Sequence, residues 1–96
     1  MKVFAIASAN STLTPEKLQQ HMPNEVPATL KLYLDGKVEQ FWFSEKAGPI
    51  FLMNVESVEQ AKATLDALPL VADGLMSYEL LPVGPLAPLG RLIQNQ

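Results

Sequence analysis

The chain contains no cysteine. That single absence removes a disulfide framework, a thiolate nucleophile and any cysteine-based zinc site. Histidine is nearly absent as well: His21 stands alone and cannot build a multi-histidine metal centre, so no metal is expected. No phosphate loop, dinucleotide fingerprint or metal-ligand spacing occurs, and no cofactor is expected. Positive charge is sparse. Seven Lys and Arg are scattered among ten Asp and Glu, leaving a formal net charge of −3. Neutralising a phosphate backbone takes clustered cations, which argues against nucleic acid as a partner. Long apolar runs are missing too: none approaches the roughly 20 residues that span a bilayer, so no membrane is expected. Residues 1–9 are too short an apolar stretch for a signal peptide and alternate like a strand, so a cytoplasmic location is the expectation.

What the chain does have is apolar side chain in excess of its size. Ninety-six residues make one domain, and 48% of them are hydrophobic. A domain this small buries a modest fraction of its surface. With no membrane to take the surplus, a partner subunit is the remaining outlet.

Val3 to Ala7 alternates large and small apolar residues and reads as a central strand. Thr14-Pro15-Glu16 is a helix start: Thr14 can cap, Pro15 suits the first helical position, and Glu16 favours the positive end of the dipole. Pro23 and Pro27 predict an interruption, giving a short helix from Pro15 to His21, a break near Met22-Pro23 and a second segment over 25–34. In that segment Val26, Leu30, Tyr33 and Leu34 form the expected buried stripe, closed by Asp35-Gly36. Val38 to Ser44, rich in aromatics, is a strand, and Ile50 to Val55 is its hairpin partner. Ser57 and Gln60 make a capping box for a helix with Val58, Ala61, Leu65 and Leu68 on its buried stripe, stopped by Pro69. Ser77 to Val83 is the last strand.

The order βαββαβ predicts a ferredoxin-like α+β domain over 1–83: a four-stranded antiparallel sheet with both helices on one face. The other face is left bare and apolar, which a lone subunit in water would not tolerate. Two such sheets facing each other make a homodimer, a dimeric α/β barrel. The residues 84–96, with Leu86, Leu89, Leu92 and Ile93, are expected to lie on the partner subunit or the barrel mouth.

Strand alternation sorts the faces. Phe41 and Phe43, with Phe51, Met53 and Val55 and with Tyr78 and Leu80, suit the side under the helices. Phe4, Ile6, Ser8, Gln40, Trp42, Leu52, Asn54, Ser77 and Glu79 suit a mixed lumen. Apolar walls with a few polar groups are what a small organic ligand needs.

Gly36-Lys37 followed by Trp42, then Val55-Glu56-Ser57, Ala67-Leu68-Pro69-Leu70, Glu79 and Pro82, with Met22-Pro23 and Glu25-Val26 as a weaker match, resemble the pattern of muconolactone isomerase and its small relatives. The Ala-Leu-Pro-Leu element is the most distinctive piece. The resemblance implies the dimeric α/β barrel, higher oligomers assembled from dimers, and double-bond migration by proton transfer without a cofactor. Sibling families on this fold include cofactor-less monooxygenases. The chain departs from the isomerase at 39–43: it reads Glu-Gln-Phe-Trp-Phe where the isomerase is rich in basic residues, and a site for an anionic lactone-carboxylate calls for cations.

Two residues are candidate proton carriers. Glu79 in an apolar lumen would have its charged form penalised by desolvation, moving its pKa toward the working range; the plainer reading is an exposed strand position or an ion pair. His21 has the intrinsic pKa for proton transfer near neutrality; the plainer reading is a solvated histidine at a helix end. Trp42 is a ligand wall or ordinary packing. Ser8, Ser44 and Ser77 have no base nearby in sequence, so a nucleophilic serine is disfavoured. The sequence thus admits a cofactor-independent isomerase, a cofactor-less monooxygenase, or a non-catalytic dimer that binds a small molecule or serves in interaction.

Overall fold

A computed structural model describes residues 1–85. Strand β1 (Lys2–Ala9) leads to helix α1 (Pro15–Leu34), then β2 (Val38–Ser44), β3 (Gly48–Asn54), α2 (Val58–Asp66), the short α3 (Pro69–Ala72) and β4 (Met76–Val83). The sheet order is β2-β3-β1-β4, antiparallel throughout. This is the expected ferredoxin-like arrangement, with the doubly apolar β1 and β3 in the centre. The expected course of 84–96 falls, from residue 86 on, outside the described residues.

One face of the sheet is closed by the helices. Val3, Ala5, Val38, Phe51 and Met53 from the strands pack with Ala61, Leu65 and Leu68 around α2, and Ala28 and Leu32 of α1 join them. A second, smaller cluster of Ala7, Leu70, Leu75 and Met76 packs with Leu13 and Leu18 at the other end. The caps are those the sequence offers. Thr14 Oγ1 accepts from Lys17 N–H at 3.2 Å, and Ser57 Oγ from Gln60 N–H at 3.1 Å. Gln60 reaches back one residue further than a capping box requires, to Glu56 N–H at 2.7 Å. Gly36, at φ +78°, ends α1 in a Schellman motif: Gly36 N–H donates to Tyr33 O and Lys37 N–H to Leu32 O.

Helix α1 departs from expectation twice. It runs unbroken through Pro23 and Pro27. Each proline forfeits one bond, to the carbonyls of Gln19 and Pro23, and all three residues lie on the exposed side. Water can satisfy a freed carbonyl there, so the helix continues. The buried stripe is also a different one. Val26, Leu30, Tyr33 and Leu34 are all exposed. The inward line is Leu18, His21, Glu25, Ala28 and Leu32, at alternating spacings of three and four, with Glu25 its only fully buried member. Pro69 does stop α2, and it also opens α3 at its first position.

Strand β2 carries a bulge. Val38 pairs with Met53 and Gln40 with Leu52, so Glu39 is the extra residue. The insertion resets the alternation. Val38 and the later Phe41 and Phe43 thereby face the helices, while Gln40 and Trp42 face away. Glu39 is held by an ion pair to Lys2.

Candidate functional site

The helix-covered side of the sheet is not filled. Between α1 and the strands lies an open cleft of about 930 Å³. Its room comes from β1, whose helix-side residues beside it are the small Ala7 and Ala9 while the large Phe4 and Ile6 point the other way. The floor is Ala7, Phe51, Leu70, Met76 and Tyr78, and the rim is Met22, Val26, Leu30 and Phe43. Val26 and Leu30 of the exposed stripe, with Met22, are therefore the cleft's outer wall. These residues are apolar without being buried because they face this space; Tyr33 and Leu34 lie beyond the lining.

An aromatic series crosses the sheet into the cleft. Tyr33 and Phe41 have ring centroids 5.5 Å apart, Phe41 meets Phe51 edge-on at 5.4 Å and 87°, and Phe51 stacks on Tyr78 at 5.4 Å and 29°. The bulge in β2 brings Phe41 into this series. Ala5 and Ala7 of β1, between Phe51 and Tyr78, are small enough for the two rings to meet over them.

Set into this apolar wall is one carboxylate. Glu25 is 7% exposed, the only buried charged or polar side chain among the described residues. Its Oε1 accepts from Leu70 N–H at 2.9 Å. That donor is one of the first-turn amides of α3, which have no partner within the helix. Among the described residues no fully buried side-chain oxygen or nitrogen lacks a hydrogen bond, and Glu25 is part of the cleft lining. Tyr78 lies on the same floor. Burial, and secondarily the negative charge of Glu25, pushes its phenol above the ordinary range, so it stays a neutral hydroxyl.

The expected site residues separate. Phe4, Ile6, Gln40, Trp42, Leu52, Asn54, Ser77 and Glu79 all project from the open face, away from this cleft. Their register forms rows: Trp42 beside Ile50, Ile50 beside Ile6, Ile6 beside Glu79; and Gln40 beside Leu52, Leu52 beside Phe4. Trp42 is 48% exposed and its ring lies 6.1 Å from that of Phe4. Glu79 and Ser77 are exposed. His21 is on the helix side, one turn from Glu25, but outside the cleft lining.

His21 ties α1 to the turn before β4. Its Nδ1 lies 2.7 Å from Lys17 O, and its Nε2 lies 2.5 Å from Asp73 Oδ2. Both partners are pure acceptors, so both ring nitrogens are served best when both carry protons. The Asp73 carboxylate, then the Lys17 carbonyl, accordingly raise the pKa of His21 above its ordinary value against an opposing desolvation, and the charge of Glu25 adds to the rise. Asn10 secures the same turn, donating from Nδ2 to Gly74 O at 2.5 Å and from N–H to Leu75 O at 3.0 Å. A group whose folded pKa is raised contributes stability that is complete below about pH 6.5 and is lost as pH rises through the raised value. We expect NMR titration of His21 to give a midpoint above 6.5 and Asp73→Asn to bring it back toward 6.5. An unchanged midpoint in that variant would mean that the pair does not form.

Among the described residues no group of three or more His, Cys, Asp or Glu could hold a metal. No helix among them is long and apolar enough to cross a membrane.

Comparison with solved structures decides the fold. The crystal structure of muconolactone isomerase superposes with a TM-score of 0.68, covering 90% of this chain and 93% of that one at 23% sequence identity. The fold is that of muconolactone isomerase. The likeness in fold covers nearly the whole length of both chains. No protein-family model and no curated protein sequence matches the chain.

Sequence reasoning missed Glu25, Tyr78, Phe41 and Phe43 as site residues. A signal was present. Glu25 sits in the middle of the series Leu18, His21, Ala28, Leu32, where a charged residue on an otherwise apolar line marks a buried carboxylate with a task or a partner.

Proposed function

We propose that this chain is a cofactor-independent isomerase that takes a small, largely apolar organic molecule into the cleft between α1 and the sheet and moves a proton on it. The observation that supports this most is the single buried carboxylate, Glu25, set in an apolar cavity of ligand size. Glu25 removes a proton from a carbon next to a carbonyl. The electron pair passes into an enolate, whose oxygen accepts a hydrogen bond from the Tyr78 hydroxyl. Return of the proton at the far end of the conjugated system shifts the double bond and leaves Glu25 as it began. The likeness in fold to an isomerase agrees with this chemistry. The working unit is a homodimer closed by the open sheet faces.

A second reading places the ligand between those two sheets, with Glu79 as proton carrier, His21 assisting from the barrel mouth and Trp42 orienting the ring. The mixed polarity of that face favours it: Glu79 lies beside Ile6, in the row that includes Trp42. Deuterium wash-in from D2O into a panel of small enolisable carbonyl compounds, followed by NMR, separates the two. Glu25→Gln is expected to slow exchange by about 10²–10⁴-fold, with Glu79→Gln near wild type. Ala7→Leu, which projects into the cleft from its floor, is expected to abolish it as well. Loss confined to Glu79→Gln would move the site to the lumen. Exchange by none of the proteins would leave the non-catalytic small-molecule binder as the surviving alternative.

A further inference from the structure

The geometry points to a ligand class: we infer that the cleft selects an apolar molecule that carries no negative charge and presents a hydroxyl or N–H to Glu25, and that it rejects carboxylates. This rests on the reading that the ligand occupies the α1–sheet cleft, and adds what the ligand must carry: a carboxylate has about four lone-pair sites, so Glu25 can hold the donor and still meet the reacting C–H.

Three observations support it. The first is the inventory of charge along the cleft. Glu25 stands at the floor, and Glu45 and Lys46 stand together on the exposed turn between β2 and β3. The rim pair brings opposite charges side by side, so among the residues lining the cleft the buried end holds one negative group and no cation; His21, whose pKa the charge of Glu25 helps to raise, lies outside that lining. The second is the state of Glu25 itself. One oxygen accepts from Leu70 N–H, and the ionised side chain, which lines the cavity, has acceptor capacity only. Its negative charge is felt at Tyr78 on the same floor. An anionic ligand group brought there would meet a like charge in a poorly hydrated place, whereas a donor would complete the carboxylate's bonding. The third is the surface around it. Phe51, Leu70, Met76 and Tyr78 offer contact area and no cation, so a negative charge on the buried part of the ligand would go unpaired. A flat ring fits beside the stacked Phe51 and Tyr78.

Three probes of one shape test this: 2-naphthol, naphthalene and naphthalene-2-carboxylate, titrated into the full chain near pH 7. Binding is followed by NMR shifts of Met22, Phe51 and Tyr78. The naphthol is expected to bind on the order of tenfold or more tightly than the carboxylate, and more tightly than naphthalene. In Glu25→Gln, whose amide oxygen can keep the bond from Leu70 N–H, the preference over the carboxylate is expected to shrink to within about threefold. Carboxylate binding in the cleft as tight as that of the naphthol would overturn the inference and leave the cleft as the ligand site. Equal binding of naphthol and naphthalene by the wild-type protein would do the same, whether or not the variant folds. A preference unchanged in Glu25→Gln would remove Glu25 as its cause. Failure of all three probes to move these signals would overturn both this inference and the cleft as the binding site.

Discussion

Leu52→Asp is expected to leave the chain as single subunits at micromolar concentration, where the proposed pairing of open sheet faces would make the unaltered protein sediment as a dimer. Leu52 lies in the middle of the open face, between Gln40 of β2 and Phe4 of β1. Around it Phe4, Ile6 and Ile50 are half-buried, while Trp42 and Leu81 are about half exposed at 48% and 51%. Burying such a face contributes about 25 cal/mol per Å² of apolar area, and a stable pairing buries about 800 Å² on each partner. A carboxylate placed at its centre must lose its water or hold the sheets apart. The effective penalty is several kcal/mol per ion, and a two-fold axis applies it twice. At 1.4 kcal/mol per tenfold, association is expected to weaken by at least about 10³-fold. Glu79 is a built-in exception on this face, but it stands on the edge strand, where water can reach it. Sedimentation of a wild-type monomer would remove the paired-sheet assembly, and with it the lumen reading for Glu79 and Trp42. The cleft beneath α1 would be untouched, because every residue lining it belongs to one subunit.

Met53→Ala is expected to cost about 2–5 kcal/mol of folding stability. Met53 is completely buried near the end of the central strand β3, paired with Val3 on one side and Val38 on the other. Its side chain fills the space between the sheet and the α2 residues Ala61 and Leu65. Truncation leaves a void that strands on both sides prevent from closing. For a domain of this size each kcal/mol lowers Tm by about 4–8 °C, so a loss of roughly 10 °C or more should appear in a thermal melt. Phe43→Ala supplies the contrast. Phe43 is 75% exposed on the cleft rim, and its removal should change stability by no more than about 0.5 kcal/mol while weakening ligand binding. A melt unaffected by Met53→Ala would mean that the core is not packed as described.

The two variants mark different layers of one molecule, and the layers were unequally legible. Alternation in Val3 to Ala7, in Gln40 to Ser44 and in Ile50 to Asn54 assigned each side chain to its face, because a strand's period of two leaves no third choice. Thr14, Ser57 and Gly36 marked helix ends, because their side chains or backbone freedom act within a few residues of themselves. Pro23 and Pro27 misled, because the damage a proline does depends on whether the freed carbonyl finds water. That is a property of position in the fold. Val26, Leu30 and Tyr33 misled for a related reason. They are the more apolar line along α1, but the inward side is fixed by where α3 and the sheet lie, and that turns Leu18, Glu25, Ala28 and Leu32 toward the core.

The amino-acid order alone therefore determined the α+β class, the sheet's two faces and the surplus of apolar side chain. All of these follow from short-range periodicity and composition. Only the tertiary structure decided that α1 stands away from the alanine side of β1, that one extra residue at Glu39 aims Phe41 at the cleft, and that Glu25 meets Leu70 N–H from 45 positions away in sequence. A cavity is the space left between elements, and no local pattern records the distance at which two elements come to rest.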